Sequence, residues 1–178
     1  MRGTQRVTML LVIITVVILM PLSSAHGDEA SSGLKEYQVL GIALATALLL
    51  PLFMTRFGSE DPFFPQTVFS LAVFTGMVHI LLGINDRILL IGGISVIGIL
   101  LLSLTIHMDD KKSKFTQYGL SAVTITMFIG YFVSNHDLHY VLEDYLGIAT
   151  KISEIALLVC IYRMQTAPIN GMSAEESA

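Results

Sequence analysis

The sequence predicts an all-α protein, a polytopic membrane helix bundle with five transmembrane helices after removal of an N-terminal signal peptide and six if that segment is retained. Three observations predict it. The 178 residues are 53% hydrophobic and 13% charged, with a mean hydropathy of +0.72, far more apolar than an ordinary soluble domain. Beyond residue 36 the chain repeats apolar runs of roughly 17 to 20 residues, the length that about 30 Å of hydrocarbon requires at about 1.5 Å per residue. The polar gaps between these runs are about a dozen residues at most, too short for a second folded domain.

The first element is residues 1–25. Arg2 and Arg6 precede an apolar stretch over residues 7–22, and Ser23-Ser24-Ala25 follows. A basic start, an apolar centre and small residues at the end read as a secretory signal cleaved after Ala25; the alternative is an uncleaved first helix. Residues 26–36 are polar and read as an extracytoplasmic lead. The membrane bundle is then expected over residues 37–163. Its first span is residues 37–55, with Gly41 and Ala45 four apart as a close-packing edge. Residues 56–65 form a loop, because Gly58, Pro62 and Pro65 interrupt any helix. Residues 66–84 are the second span, and Asn85-Asp86-Arg87 is a turn short enough to demand an antiparallel hairpin. Residues 88–106 are the third span, where Gly92, Gly93 and Gly98 offer close approach to a neighbour. The charged stretch 107–114 leads to the fourth span, residues 115–133. The fifth, residues 146–162, carries Lys151 and Glu154. Residues 164–178 read as a disordered cytoplasmic tail.

Basic residues near the span ends orient the bundle. With the mature N-terminus outside, Arg56, Lys111, Lys112, Lys114 and Arg163 fall inside, against Lys35, Arg87 and Lys151 outside. A secretory signal requires the same orientation. The expected location is the cell (plasma) membrane, multi-pass, with the C-terminus cytoplasmic. Membrane lipid is the first partner, and the lysine cluster suits an anionic inner leaflet.

That orientation gathers imidazoles and carboxylates on the outer side. In the stretch Ser134 to Tyr145, His136, His139 and Glu143 stand at i, i+3 and i+7, one stripe if the segment is helical. Imidazole with a carboxylate suits copper or zinc. The same residues also fit a solvated connector that lays Leu138, Val141, Leu142 and Tyr145 on the membrane surface. His26 is a further metal candidate, since as a first residue it would offer both its free amine and its ring nitrogen. Ala25-His26-Gly27-Asp28-Glu29 resembles the start of the copper-bearing B subunits of particulate methane and ammonia monooxygenases, where a histidine followed by glycine opens the mature chain. The resemblance covers about five residues, and the chain has no room for the cupredoxin domains of those subunits. It implies a copper-ligand role for His26 alone.

His79 is the histidine within a span. It shares a stripe with Ala72, Gly76 and Gly83, small residues that mark a helix contact, so it is expected to face the bundle. It lies seven residues from Asp86, about 10 Å of helix, and Glu154 lies at a comparable depth. The two form a candidate buried relay or ligand pair. The structural alternative is a hydrogen bond from His79 to a carbonyl or to Thr75, with Glu154 paired to Lys151.

Several function classes drop out. The bases form no stripe that could follow phosphates, which excludes nucleic acid as a partner. A single cysteine, Cys160, excludes an internal disulfide and reads as a small buried hydrophobe. Nine dispersed methionines read as packing. No nucleotide-binding or nucleophile motif stands out, so no enzyme is expected from this chain on its own. The leading expectation is binding or handling of a transition metal, copper before zinc, by His26, His136, His139 and Glu143, alone or as an accessory subunit of a membrane metalloenzyme. A structural or assembly subunit of a larger membrane complex, and a b-type haem protein using His79 with an outer histidine, are the alternatives.

Overall fold

A computed structural model describes residues 34–57, 63–84, 86–105, 109–134 and 144–166. The expected signal peptide, the lead up to residue 33, the metal candidates His26, His136, His139 and Glu143, and the chain beyond residue 166 lie outside the described residues.

Among those residues there are five helices and no strand, as an all-α chain requires: α1 (Glu36–Phe57), α2 (Gln66–Leu82), α3 (Arg87–Thr105), α4 (Asp110–Ser134) and α5 (Tyr145–Thr166). By length and composition, α3 and α5 are able to cross a membrane, while the apolar parts of α1 and α2, Glu36–Leu52 and Gln66–Leu82, are a little shorter.

The bundle is built round α2. Twelve of its 17 residues are buried, among them Val68, Ala72, Val73, Met77 and Val78, because its sequence is apolar on every side and has no face to present to water. It packs against α1, α3 and α5, and α4 closes the bundle against α3 and α5.

The α2–α3 contact is an antiparallel hairpin whose register is set by glycines. A Cβ on Gly83 would run into the backbone of Leu90, and one on Gly76 would lie 2.9 Å from Cδ1 of Ile97. Gly93 is the tightest point inside the pair, where a Cβ would stand 2.7 Å from both the Gly76 carbonyl oxygen and the Ile80 amide nitrogen. Both obstacles are backbone, so the helices themselves would have to part. The connecting turn is closed by the Gly83 amide on the His79 carbonyl (2.8 Å) and by Asp86, whose Oδ1 accepts from the Ile88 amide at 2.9 Å. This is a helix start capped by a carboxylate.

Three sequence-based placements are corrected by the packing. Gly41 and Ala45 face outward, and a Cβ on Gly41 or Gly98 would meet nothing within 4 Å. The buried stripe of α1 is instead Val39, Ala43, Thr46, Ala47 and Leu50, an i, i+4, i+7 pattern that buries small residues and leaves Leu44, Leu48, Leu49 and Leu52 on the outside. Met164, Gln165 and Thr166, expected in the tail, continue α5, and Cys160 is half-buried.

The charged cluster before α4 also has a structural use. Oδ1 of Asp109 accepts from the Lys112 amide at 2.8 Å, and its other oxygen lies 3.4 Å from the Lys112 ammonium. The amide hydrogen bond, more than the ammonium, holds the Asp109 carboxyl below its usual range. Four residues from 110 to 114 are charged and still helical, so α4 begins ahead of its apolar run.

Substitution at the two kinds of glycine should separate cleanly. Gly93→Ala is expected to destabilise the bundle by about 1–3 kcal/mol through overpacking, whereas Gly98→Ala should be neutral or stabilising by up to about 1 kcal/mol, since alanine favours helix and meets no obstacle. Thermal unfolding of the two variants in detergent, followed by circular dichroism, measures the contrast.

Candidate functional site: a buried triad between α2, α4 and α5

The fifth helix is turned inside out relative to a helix in water. Its buried residues are Leu146, Gly147, Thr150, Lys151, Ser153, Glu154, Leu157 and Ile161. Its exposed ones include Ile152, Ile155, Val159 and Tyr162. Positions 147, 150/151 and 154 fall on one stripe, so the small Gly147 and Thr150 bring α5 close to its neighbours just where Lys151 and Glu154 point inward.

There the chain assembles a triad. Glu154 is fully buried, and Lys151 and His79 are each 6% exposed. The Lys151 ammonium donates to Oε2 of Glu154 at 2.7 Å and to the Met127 carbonyl of α4 at 3.3 Å. The same ammonium stands 5.1 Å from the centre of the Tyr131 ring and 5.8 Å from that of Phe128, within range of a cation–π attraction. His79 comes from α2. Its Nδ1 lies 2.9 Å from the Thr75 carbonyl oxygen, and its Nε2 lies 3.5 Å from Oε1 of Glu154. The Thr75 and Ser153 hydroxyls, 2.8 Å apart, tie α2 to α5 beside the pair.

The hydrogen-bond inventory limits what this arrangement can be. A carbonyl oxygen only accepts, so Nδ1 of His79 must carry a proton, and in a neutral imidazole Nε2 is then a bare acceptor. It faces Oε1 of Glu154, which among the described residues has no hydrogen-bond partner. Two acceptors therefore oppose each other. At 3.5 Å there is no room for a bridging water, whose two hydrogen bonds of about 2.8 Å would hold their ends about 4.5 Å apart. One proton placed between Nε2 and Oε1 converts the opposition into a charge-assisted bond.

Both readings of His79 and Glu154 from the sequence thus have their geometry here: the bond to the Thr75 carbonyl and the Lys151 pairing coexist with the direct approach of the two side chains. Lys151 is the residue placed wrongly by sequence, as an outer base near a span end. The signal that could have found it is the small-residue pair Gly147 and Thr150 on its own helix, the kind of stripe used for His79 on α2. Among the described residues no three of His, Cys, Asp and Glu converge as a metal group would require, and both ring nitrogens of His79 are turned to protein oxygens, whereas an axial haem ligand needs one free.

At the start of α5 the triad has a neighbour. Asp144 caps the helix, its Oδ1 accepting from the Gly147 amide at 2.7 Å, and its Oδ2 accepts from the Tyr131 hydroxyl at 2.9 Å. Comparison with family models, with characterised proteins and with solved structures finds no match.

Removing one member of the buried ion pair should be far worse than removing both. Lys151→Met is expected to cost about 3–5 kcal/mol, because it leaves Glu154 buried without its counter-charge, and Lys151→Met with Glu154→Gln should recover most of the loss. Detergent unfolding of the single and double variants gives the comparison.

Proposed function

We propose that this chain is a five-span integral membrane protein of the plasma membrane, and that His79, Glu154 and Lys151 form a proton-holding site within it. The observation that carries the reading is α5, which buries a lysine and a glutamate and exposes isoleucine and valine. In water that distribution is unfavourable on both counts; in hydrocarbon it is the stable one. The two helices long enough to cross support it, since only 28% of the apolar window in α3 and 39% of that in α5 is buried within the bundle, too little for core helices of a soluble domain. Lys151 is engaged inside the bundle, so it drops out of the outer basic residues. The remaining bases then favour an outer N-terminus and a cytoplasmic C-terminus more strongly.

With Lys151 charged, Glu154 ionised and His79 neutral, the triad carries no net charge and keeps its two facing acceptors. Taking up a proton between them satisfies both and adds one positive charge inside the bundle. A site with these two states can serve proton transfer or a proton-linked change of shape. Handling of copper or zinc by His26, His136, His139 and Glu143 is the competing reading and rests on their pattern in the sequence.

Two measurements test the proposal. In detergent, acidification should bring proton uptake with a carboxyl or imidazolium signature in infrared difference spectra, absent from Glu154→Gln and altered in His79→Gln; copper or zinc retained by the purified protein, with no such uptake, would favour the metal reading instead. For topology, a cysteine at position 86 in a Cys160→Ser background should react with an impermeant maleimide on intact cells, and one at position 112 should not. The opposite pattern would reverse the orientation.

A further inference from the structure

The triad is sealed, yet a proton-holding site needs a way in. From Glu154 a graded line of exchangeable groups leads to the start of α5: Glu154 is fully buried, Lys151 6% exposed, and Tyr131 and Asp144 only half-buried. The contacts along it are the 2.7 Å bond from Lys151 to Glu154, the ammonium held 5.1 Å from the Tyr131 ring, and the 2.9 Å bond from the Tyr131 hydroxyl to Asp144. Asp144 precedes Glu154 by ten residues, about 15 Å along the helix axis, so the line runs from the helix end to the middle of the span.

We propose that Asp144 is the port through which protons reach Glu154, with Tyr131 and the side chain of Lys151 as the carriers between them. This rests on the proton-holding reading of the triad. The steps balance without any further reactant. The Lys151 ammonium gives a proton to the Glu154 carboxylate and becomes an amine. Its flexible four-carbon stem lets the amine swing from Glu154 toward Tyr131, where it takes the phenolic proton. The tyrosinate is restored by the proton of a protonated Asp144 carboxyl, which is left ionised and recharges from the aqueous side. Net, one proton moves from Asp144 to Glu154, and Lys151 and Tyr131 return to their starting states.

The surroundings leave this line without a rival among the described residues. The titratable groups that the packed elements bring toward Lys151 are His79 from α2, Tyr131 from α4, and Asp144 and Glu154 on its own helix. α3 contributes only Arg87, at its start and so at the same end of the bundle as Asp144. Glu36 at the start of α1 lies close to the Tyr145 hydroxyl, next to Asp144, and adds a second carboxylate at the mouth.

Time-resolved proton uptake after a pH jump, on the full chain in detergent, tests the port. Asp144→Asn keeps the helix cap, since asparagine caps as well as aspartate, but cannot carry a proton. Uptake in it and in Tyr131→Phe is expected to slow by at least about tenfold, toward the range of about 10²–10⁴ that a positioned proton carrier supplies, while reaching the same final extent. Lys151→Arg keeps the positive charge and the ion pair, yet arginine does not release its proton, so it should slow uptake as much. Unchanged rates in Asp144→Asn and Lys151→Arg, with normal uptake in the parent, would overturn the port and leave the triad standing. Absence of uptake in the parent protein would remove both.

Discussion

Burial of Lys151 and Glu154 is the constraint to which the rest of the bundle answers. Two opposite charges taken out of water are tolerated only when they meet at hydrogen-bond distance and their remaining donors find partners. The 2.7 Å bond, the Met127 carbonyl and the two aromatic rings meet that demand on the lysine side. The glutamate is satisfied at one oxygen, and its other oxygen is left to His79. One unsatisfied position at the centre of an otherwise paired cluster is where a proton has the most to gain.

That arrangement depends on how closely the helices approach. Gly76 and Gly93 let α2 and α3 touch backbone to backbone, which holds α2 firmly on one side. On the other side the Thr75–Ser153 hydroxyl pair ties α5 to α2, and Gly147 lets the start of α5 come close to Tyr131 of α4. The imidazole of His79 is further fixed by the Thr75 carbonyl one turn before it, so its Nε2 has a single direction to face. A slightly wider bundle would admit water between the two side chains, and the opposed acceptors would be bridged by an ordinary hydrogen-bonded solvent molecule.

Much of this was legible before the fold was known, for reasons tied to particular residues. The stripe Ala72, Gly76, His79 and Gly83 placed His79 inward, because small residues on a helix mark where another helix comes close. Equal depths below two helix ends brought His79 and Glu154 together. The same logic failed for Gly41, Ala45 and Gly98, which are small and yet meet nothing: size permits an approach but does not cause one. Lys151 misled in the opposite direction, since a lysine near a span end ordinarily reaches for the water surface, and only the facing α4 supplies the carbonyl and rings that keep it inside.

The sequence by itself determined the helical character of the chain, the positions of the helices to within a few residues, and the pairing of α2 with α3, because these follow from local apolar length, breakers and a turn too short for anything else. Tertiary structure alone decided which glycines are contacts, that α2 is the central helix, that Asp144 serves both a helix cap and Tyr131, and that Glu154 keeps one oxygen facing a bare imidazole nitrogen. Those outcomes depend on side chains from different helices, from 13 residues apart for Tyr131 and Asp144 to 78 for Thr75 and Ser153. Distances of a few ångströms between such groups are set by packing, of which the linear pattern carries only the periodicity.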